Sequence, residues 1–266
     1  CPDANDPDDW GAGPHPMNKL GRLRISTAVG YLAPARIRPN LTIRAHTLVQ
    51  RILFTGRQAT GVEIENPDGS IEVLRASLVV LCAGALKSPQ ILMHSGIGPA
   101  DQLSTFGIDL VGEEPSVGQN LSDHPALSVI CHPKDPDIIN HDQPIIQTIL
   151  RYTAEGSSKR NDLQIEQLSF AGGPEGSALF AIAAVLEYQY GRGVLRLRSA
   201  NPHDAPFVDN RFCEDERDTA RLVACMRDTL AFTQEGELAD MIESISFPDP
   251  KRGLDDASLT KLCRKF

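Results

Sequence analysis

From Asn40 to Ala76 apolar and polar residues alternate with a period of two. "NLTIRAH" (40–46), "LVQRILF" (48–54), "TGVEIEN" (60–66) and "SIEVLRA" (70–76) each read as a strand with one covered face. Thr55-Gly56 and Asn66-Pro67-Asp68-Gly69 supply turn residues between them. The pattern predicts a β-meander. The next run, Leu78 to Ala83, has no polar position and reads as a strand buried on both faces of an α/β sheet. "GALKSPQILMHSGIGP" (84–99) then predicts a tight turn at Gly84 and a short helix, with Ser88 as cap, Pro89 at the first helical position and Gly96 as terminator.

Beyond residue 125 the pattern changes. "DQPIIQTILRYTAE" (142–155) reads as a helix capped by Asp142, whereas "DLQIEQLSF" (162–170), "ALFAIAAVLEYQY" (178–190) and "GVLRLRSA" (193–200) read as strands. "EDERDTARLVACMRDTLAF" (214–232) is a helix whose Leu222, Met226 and Leu230 recur every four residues, with Glu214, Asp215 and Glu216 at the dipole's positive end. Near the start, Ser26 offers a cap for a short helix closed by Pro34. These elements predict an α/β part followed by an α+β part, with a boundary near His124.

A chain of 266 residues, 41% of them hydrophobic, supports a folded core. The net charge of −9, without clustered basic residues, argues against nucleic acid as a partner. The apolar runs 78–86 and 178–186 are about half the ~20 residues that a membrane-spanning helix needs, so no transmembrane span is expected. The six cysteines form no CxxC pair, and the seven histidines have no HxH or HExxH spacing. The sequence therefore predicts free thiols in a reducing compartment and no metal site. The stretch from Cys1 has no initiator Met, basic region or apolar region and so is not a signal peptide, and the chain reads as beginning, and ending, inside a longer protein.

Two local features carry chemistry. The strand, turn and helix around Gly84 suit either a ligand crevice at a helix N-terminus or a plain packing turn. Asp123-His124 is either an acid–base pair or a turn held by an Asx-type hydrogen bond. Neither G-x-S-x-G nor G-x-G-x-x-G is present.

Residue by residue, "GALKSPQILMHSGIG" resembles the second signature of the glucose-methanol-choline (GMC) oxidoreductases, through Gly84, Ala85, Ser88, Pro89, Ile91, Leu92, Ser95, Gly96, Ile97 and Gly98. The resemblance continues through "DANDPDDWGAGPHPMN" (3–18), "RISTAVGYLAPARIRPNLTI" (24–43), "SVGQNLSDHP" (116–125) and "GVLRLRSANPHDAPFVDNRF" (193–212), in the order of choline-dehydrogenase-like bacterial members. It is weakest from about Cys131 to Ala184. It implies that residues 1–124 are part of an FAD-binding domain and 125–266 a substrate domain with a mainly antiparallel sheet. It further implies FAD contacts at Val49, Ala83, Gly84, Ser88, Asn120, Asp123 and His124.

The implied activity is oxidation of a small-molecule alcohol by hydride transfer to flavin, in a bacterial cytoplasmic protein. The family's glycine-rich phosphate turn would lie upstream of Cys1, and its catalytic histidine in a His-x-x-Gly-Thr segment beyond Phe266. This chain alone is thus expected to be inactive. The competing reading is a non-catalytic binding module derived from the same fold.

Overall fold

The computed structural model describes residues 1–173 and 177–265; the side chain of Arg252 and all of Phe266 lie outside that description. The strands used below are β1 (Gly11–Pro14), β2 (Leu48–Thr55), β3 (Gln58–Glu65), β4 (Ile71–Arg75), β5 (Ile97–Gly98), β6 (Gly112–Glu113) and β7 (Ala126–Pro133). They continue with β8 (Ile146–Tyr152), β9 (Leu163–Leu168), β10 (Phe180–Leu186), β11 (Val194–Arg196), β12 (Phe207–Asp209) and β13 (Ile242–Phe247). The helices are α1 (Gly84–His94), α2 (Ala100–Thr105), α3 (Glu216–Phe232), α4 (Gly236–Met241) and α5 (Asp256–Cys263). The chain divides into two compact units. One holds residues 1–31, 123–191 and 212–266, the other 32–122 and 192–211.

In the second of these units β2, β3 and β4 form the meander, all antiparallel. It has three strands, not four: residues 41–46 join no ladder, and His46 at φ 54° interrupts their extended line. Helix α1 packs on β2, and Ser95 fastens its end. The Ser95 hydroxyl accepts the Ile52 N–H at 2.8 Å and donates to the Ile91 carbonyl at 2.5 Å. Gly96 follows at φ 82°, where a Cβ would stand 2.3 Å from the Asp109 carbonyl oxygen. Only glycine suits that place, and it lets Val111 and Gly112 donate to the Gly96 carbonyl beside the parallel pair β5 and β6.

Two expectations for this unit are corrected. Leu78 to Ala83 is not a buried strand. Among the described residues it joins no sheet, and Leu78 and Val80 are 75% and 73% exposed, because a strand covered on both faces needs neighbours to supply its ladder and cover. Nor does Ser88 cap α1. The helix begins four residues earlier at Gly84, and Pro89 sits inside it, at the cost of a single main-chain hydrogen bond near the N-terminal end.

In the other unit a six-stranded antiparallel sheet runs in the order β1-β8-β9-β10-β7-β13. The segment expected as a helix over 142–155 is strand β8, paired with β1 and β9. Its Ile145, Ile146, Thr148 and Ile149 are β-branched and lose χ1 freedom in a helix, and two neighbouring strands satisfy its backbone. The short N-terminal helix forms as read: residues 28–32 make a π-helix that runs on into helical residues 33–35, and the Ser26 hydroxyl accepts the Val29 N–H at 3.4 Å, but Pro34 lies within the helix and does not close it.

Helix α3 forms as the sequence indicates, with Asp215 accepting the Arg217 N–H. It lays Leu222, Met226 and Leu230 on one face of the sheet, against Leu127, Val129, Ile165, Ile182 and Leu186. Leu259 of α5 closes the same core. All six cysteines are free thiols.

The core makes a direct contrast testable. Leu222→Ala is expected to cost about 2–5 kcal/mol in urea unfolding, whereas Leu78→Ser, at an exposed position, stays within about 0.5 kcal/mol of the parent. Equal losses would contradict this placement of the core.

Candidate functional site

Alternation along the strands gives the six-stranded sheet a second face, turned away from α3. Gly13, Ile149, Glu166, Ala183 and Ser128 stand in register across five strands, and Gly11, Arg151, Gln164, Val185 and Ala126 form the adjacent row. Small residues alternate here with Glu166, Gln164 and Arg151, so this face is polar where the other is apolar. The N-terminal segment crosses it. Arg151 donates to the carbonyls of Ala4 and Asp6 at 2.7 and 3.2 Å.

Between that segment and the sheet lies a cavity of about 320 Å³ whose wall includes His15, His124, Ile149, Gln164, Glu166 and Glu187. Gln164 donates to Glu166 at 2.7 Å. Glu187, just past the end of β10, lies 3.5 Å from Nδ1 of His124. Burial pushes the Glu187 carboxyl above its ordinary value, and the Glu166 charge adds to this, while His124, Arg151 and His15 pull the other way. A carboxyl, a second carboxyl and two imidazoles around one cavity can bind and orient a hydroxyl-bearing molecule and exchange protons with it.

The Asp123-His124 pair has a different internal geometry from an acid–base dyad. Asp123 Oδ1 accepts the main-chain N–H of His124 at 2.8 Å, so the carboxylate holds the turn. The carboxylate that faces the His124 ring is Glu187. The Asp123 N–H donates to Oε1 of Gln189 at 3.3 Å.

The remaining candidate residues belong to the other unit. Val49 is half-buried in β2 opposite Ile64. Ala83 is exposed at the N-cap of α1, Gly84 opens the helix at φ 80°, and Ser88 is half-buried within it. Helix α1 packs on the strand that carries Val49. Asn120, at φ 59°, is exposed beside Leu121, which exchanges hydrogen bonds with Gly193. No atom lies within 4 Å of where a Gly84 Cβ would stand. This open N-terminal end of α1 fits the close approach of a flavin nucleotide to main chain.

Sequence reasoning missed Glu187, Glu166, Gln164 and His15. The period-two alternation of "DLQIEQL" already puts Gln164 and Glu166 on one face. Nothing local marks Glu187 or His15, because only the pairing of β1, β8, β9 and β10 gathers them. No group of His, Cys, Asp or Glu suited to a metal ion occurs among the described residues. No helix among them is long and apolar enough to cross a membrane.

Comparison with known proteins gives this arrangement a context. Residues 2–126 match the family described as GMC oxidoreductase. A GMC-type oxidoreductase of Rhodococcus erythropolis is 35% identical over 218 residues, which cover 82% of this chain and 43% of that protein. The oxygen-dependent choline dehydrogenase of Escherichia coli O127:H6 is 49% identical over 115 residues, 42% of this chain and 21% of the enzyme. The crystal structure of pyridoxine 4-oxidase from Mesorbium loti superposes with a TM-score of 0.86 at 23% identity, over 96% of this chain and 51% of that one, and shares its fold. The chain thus spans less than half the length of these curated relatives.

The raised Glu187 value has a consequence for stability. The folded protein holds this proton more tightly than the unfolded chain, so the group's contribution to stability falls as pH rises from the ordinary carboxylate value through the raised one. Glu187→Gln is expected to lose less stability than the parent across that window in urea titrations. Parallel pH profiles would contradict the burial of this carboxyl.

Proposed function

The chain belongs to the GMC oxidoreductase family, and on that premise we propose that it is part of a flavoenzyme that oxidises a CH–OH group of a small-molecule alcohol. In this reading FAD, when bound, accepts the hydride from the alcohol carbon. Residues 1–124 contribute to the FAD-binding domain and 125–266 to the substrate domain.

Val49, Ala83, Gly84 and Ser88 approach the cofactor, with main chain rather than charged side chains at the Gly84 turn. The family resemblance also assigns Asn120, Asp123 and His124 to cofactor contact. The observation that carries the reading is the open, positive-φ Gly84 at the head of α1, within a segment that matches the family.

The polar sheet face supplies substrate contacts in the same reading. Gln164 and Glu166 present a hydrogen-bonded amide and carboxylate to a hydroxyl, Ile149 packs against carbon, and His124 with Glu187 holds or passes a proton at the cavity wall. The free thiols and the bacterial relatives support a cytoplasmic setting.

The test uses the complete gene product carrying this chain. It is expected to purify with FAD and to lose the oxidised flavin band on anaerobic mixing with a member of a panel of primary alcohols. Gly84→Val, which forces a β-branched residue to φ 80° and fills the open approach, is expected to weaken FAD binding at least ~10-fold while the circular dichroism spectrum is kept. A protein that takes up no FAD, or a Gly84→Val variant that binds it as the parent does, would overturn the assignment.

A further inference from the structure

Behind the cavity wall lies a buried ionic cluster to which the proposed reaction assigns no role. Asp162 and Asp218 are fully buried, and the Arg221 guanidinium between them is 9% exposed. Arg221 donates to Asp162 at 2.6 Å, to Asp218 at 2.6 Å and to the Tyr188 carbonyl at 2.8 Å, and its Nε donates to the Arg217 carbonyl at 3.1 Å. Burying such groups is costly, and apolar residues often replace a buried ion pair without loss of stability. The direction in which these groups point indicates what they do.

Both Asp218 oxygens are used on a single turn. They accept the N–H of Tyr190 at 2.8 Å and of Gly191 at 2.7 Å. The Arg221 plane also lies 4.7 Å from the centre of the Tyr190 ring, and the Asp162 carbonyl accepts the Glu187 N–H at 2.9 Å. The stretch from Glu187 to Gly191 is therefore held at 187, 188, 190 and 191 by one cluster. The same stretch holds the Asp123-His124 turn. Gln189, 1% exposed, accepts the Asp123 N–H, and Glu187 stands beside the His124 ring.

We propose that Asp218, Arg221 and Gln189 are positioning residues that set the Asp123-His124 turn against the cavity, α3 acting on it through residues 187–191. The functional meaning rests on the reading of that cavity as the substrate side. The geometric claim does not. A change in the cluster moves the turn without touching cofactor or substrate, and the turn's own residues report it.

Amide hydrogen exchange and NMR of the histidine rings, on the complete gene product carrying this chain, test this. The parent is expected to protect the Asp123 amide. In Gln189→Met, which keeps the volume but removes the acceptor, that amide is expected to exchange about tenfold faster and the His124 ring signals to shift, with an unfolding temperature close to the parent's. Asp218→Asn is expected to give the same two changes together with faster exchange at Tyr190 and Gly191. An unprotected Asp123 amide in the parent would overturn the proposal, whether or not a variant folds. So would a folded variant in which the Asp123 and His124 signals match the parent's. Neither readout involves flavin or alcohol, so failure here and failure of the flavoenzyme reading remain separate results.

Discussion

A β-strand sends successive side chains to opposite faces, and the unit built on the six-stranded sheet depends on how its sequence uses that alternation. One face carries Leu127, Val129, Ile165, Ile182 and Leu186 under α3. The other carries Gln164, Glu166, Arg151 and small residues, in rows that only the observed register can assemble. A slip of β9 by one residue would send Glu166 into the apolar core and Ile165 into the cavity. The hydrophobic burial that fixes the register therefore also fixes the cavity wall, and stability and chemistry are linked through one geometric fact.

The buried charges add a second level of placement. Hydrophobic packing of α3 sets the helix on the sheet, and polar contacts define the conformation of the loop at residues 187–191. Asp218 and Arg221 do so with directional bonds to main-chain groups of residues 188–191. In the other unit Ser95 and Gly96 play a comparable part, joining the end of α1 to β2 and making room for the Asp109 carbonyl. Two residues of the family signature thus have a local structural reason for their identity.

Much of the fold was legible in the sequence, and the failures share a cause. The helix over α3 and the strand β9 carry clear periodicity, β10 is a short unbroken apolar run, and all three form as read. Strand β8 was misread because Ile145, Ile146, Ile149 and Leu150 also fit a helical stripe, and the deciding term was pairing with β1 and β9, which are distant in sequence. Leu78 to Ala83 has the composition of a central strand, but composition does not supply neighbours, and among the described residues it has none. The site followed the same rule. Gly84 announces itself by local turn chemistry, whereas the carboxylate facing His124 proved to be Glu187, 63 residues along the chain, and not the adjacent Asp123.

The central claim is that the polar face of the sheet is the side on which an alcohol is bound and oxidised. The most direct measurement is the rate of anaerobic flavin reduction as a function of alcohol concentration in the complete protein. It would compare Glu166→Gln on that face with Glu214→Gln, an exposed residue preceding α3. The account expects Glu166→Gln to raise the alcohol concentration needed for half-maximal reduction, or to slow the limiting rate, by at least ~10-fold, and Glu214→Gln to leave both unchanged. Identical curves for Glu166→Gln and the parent would contradict it.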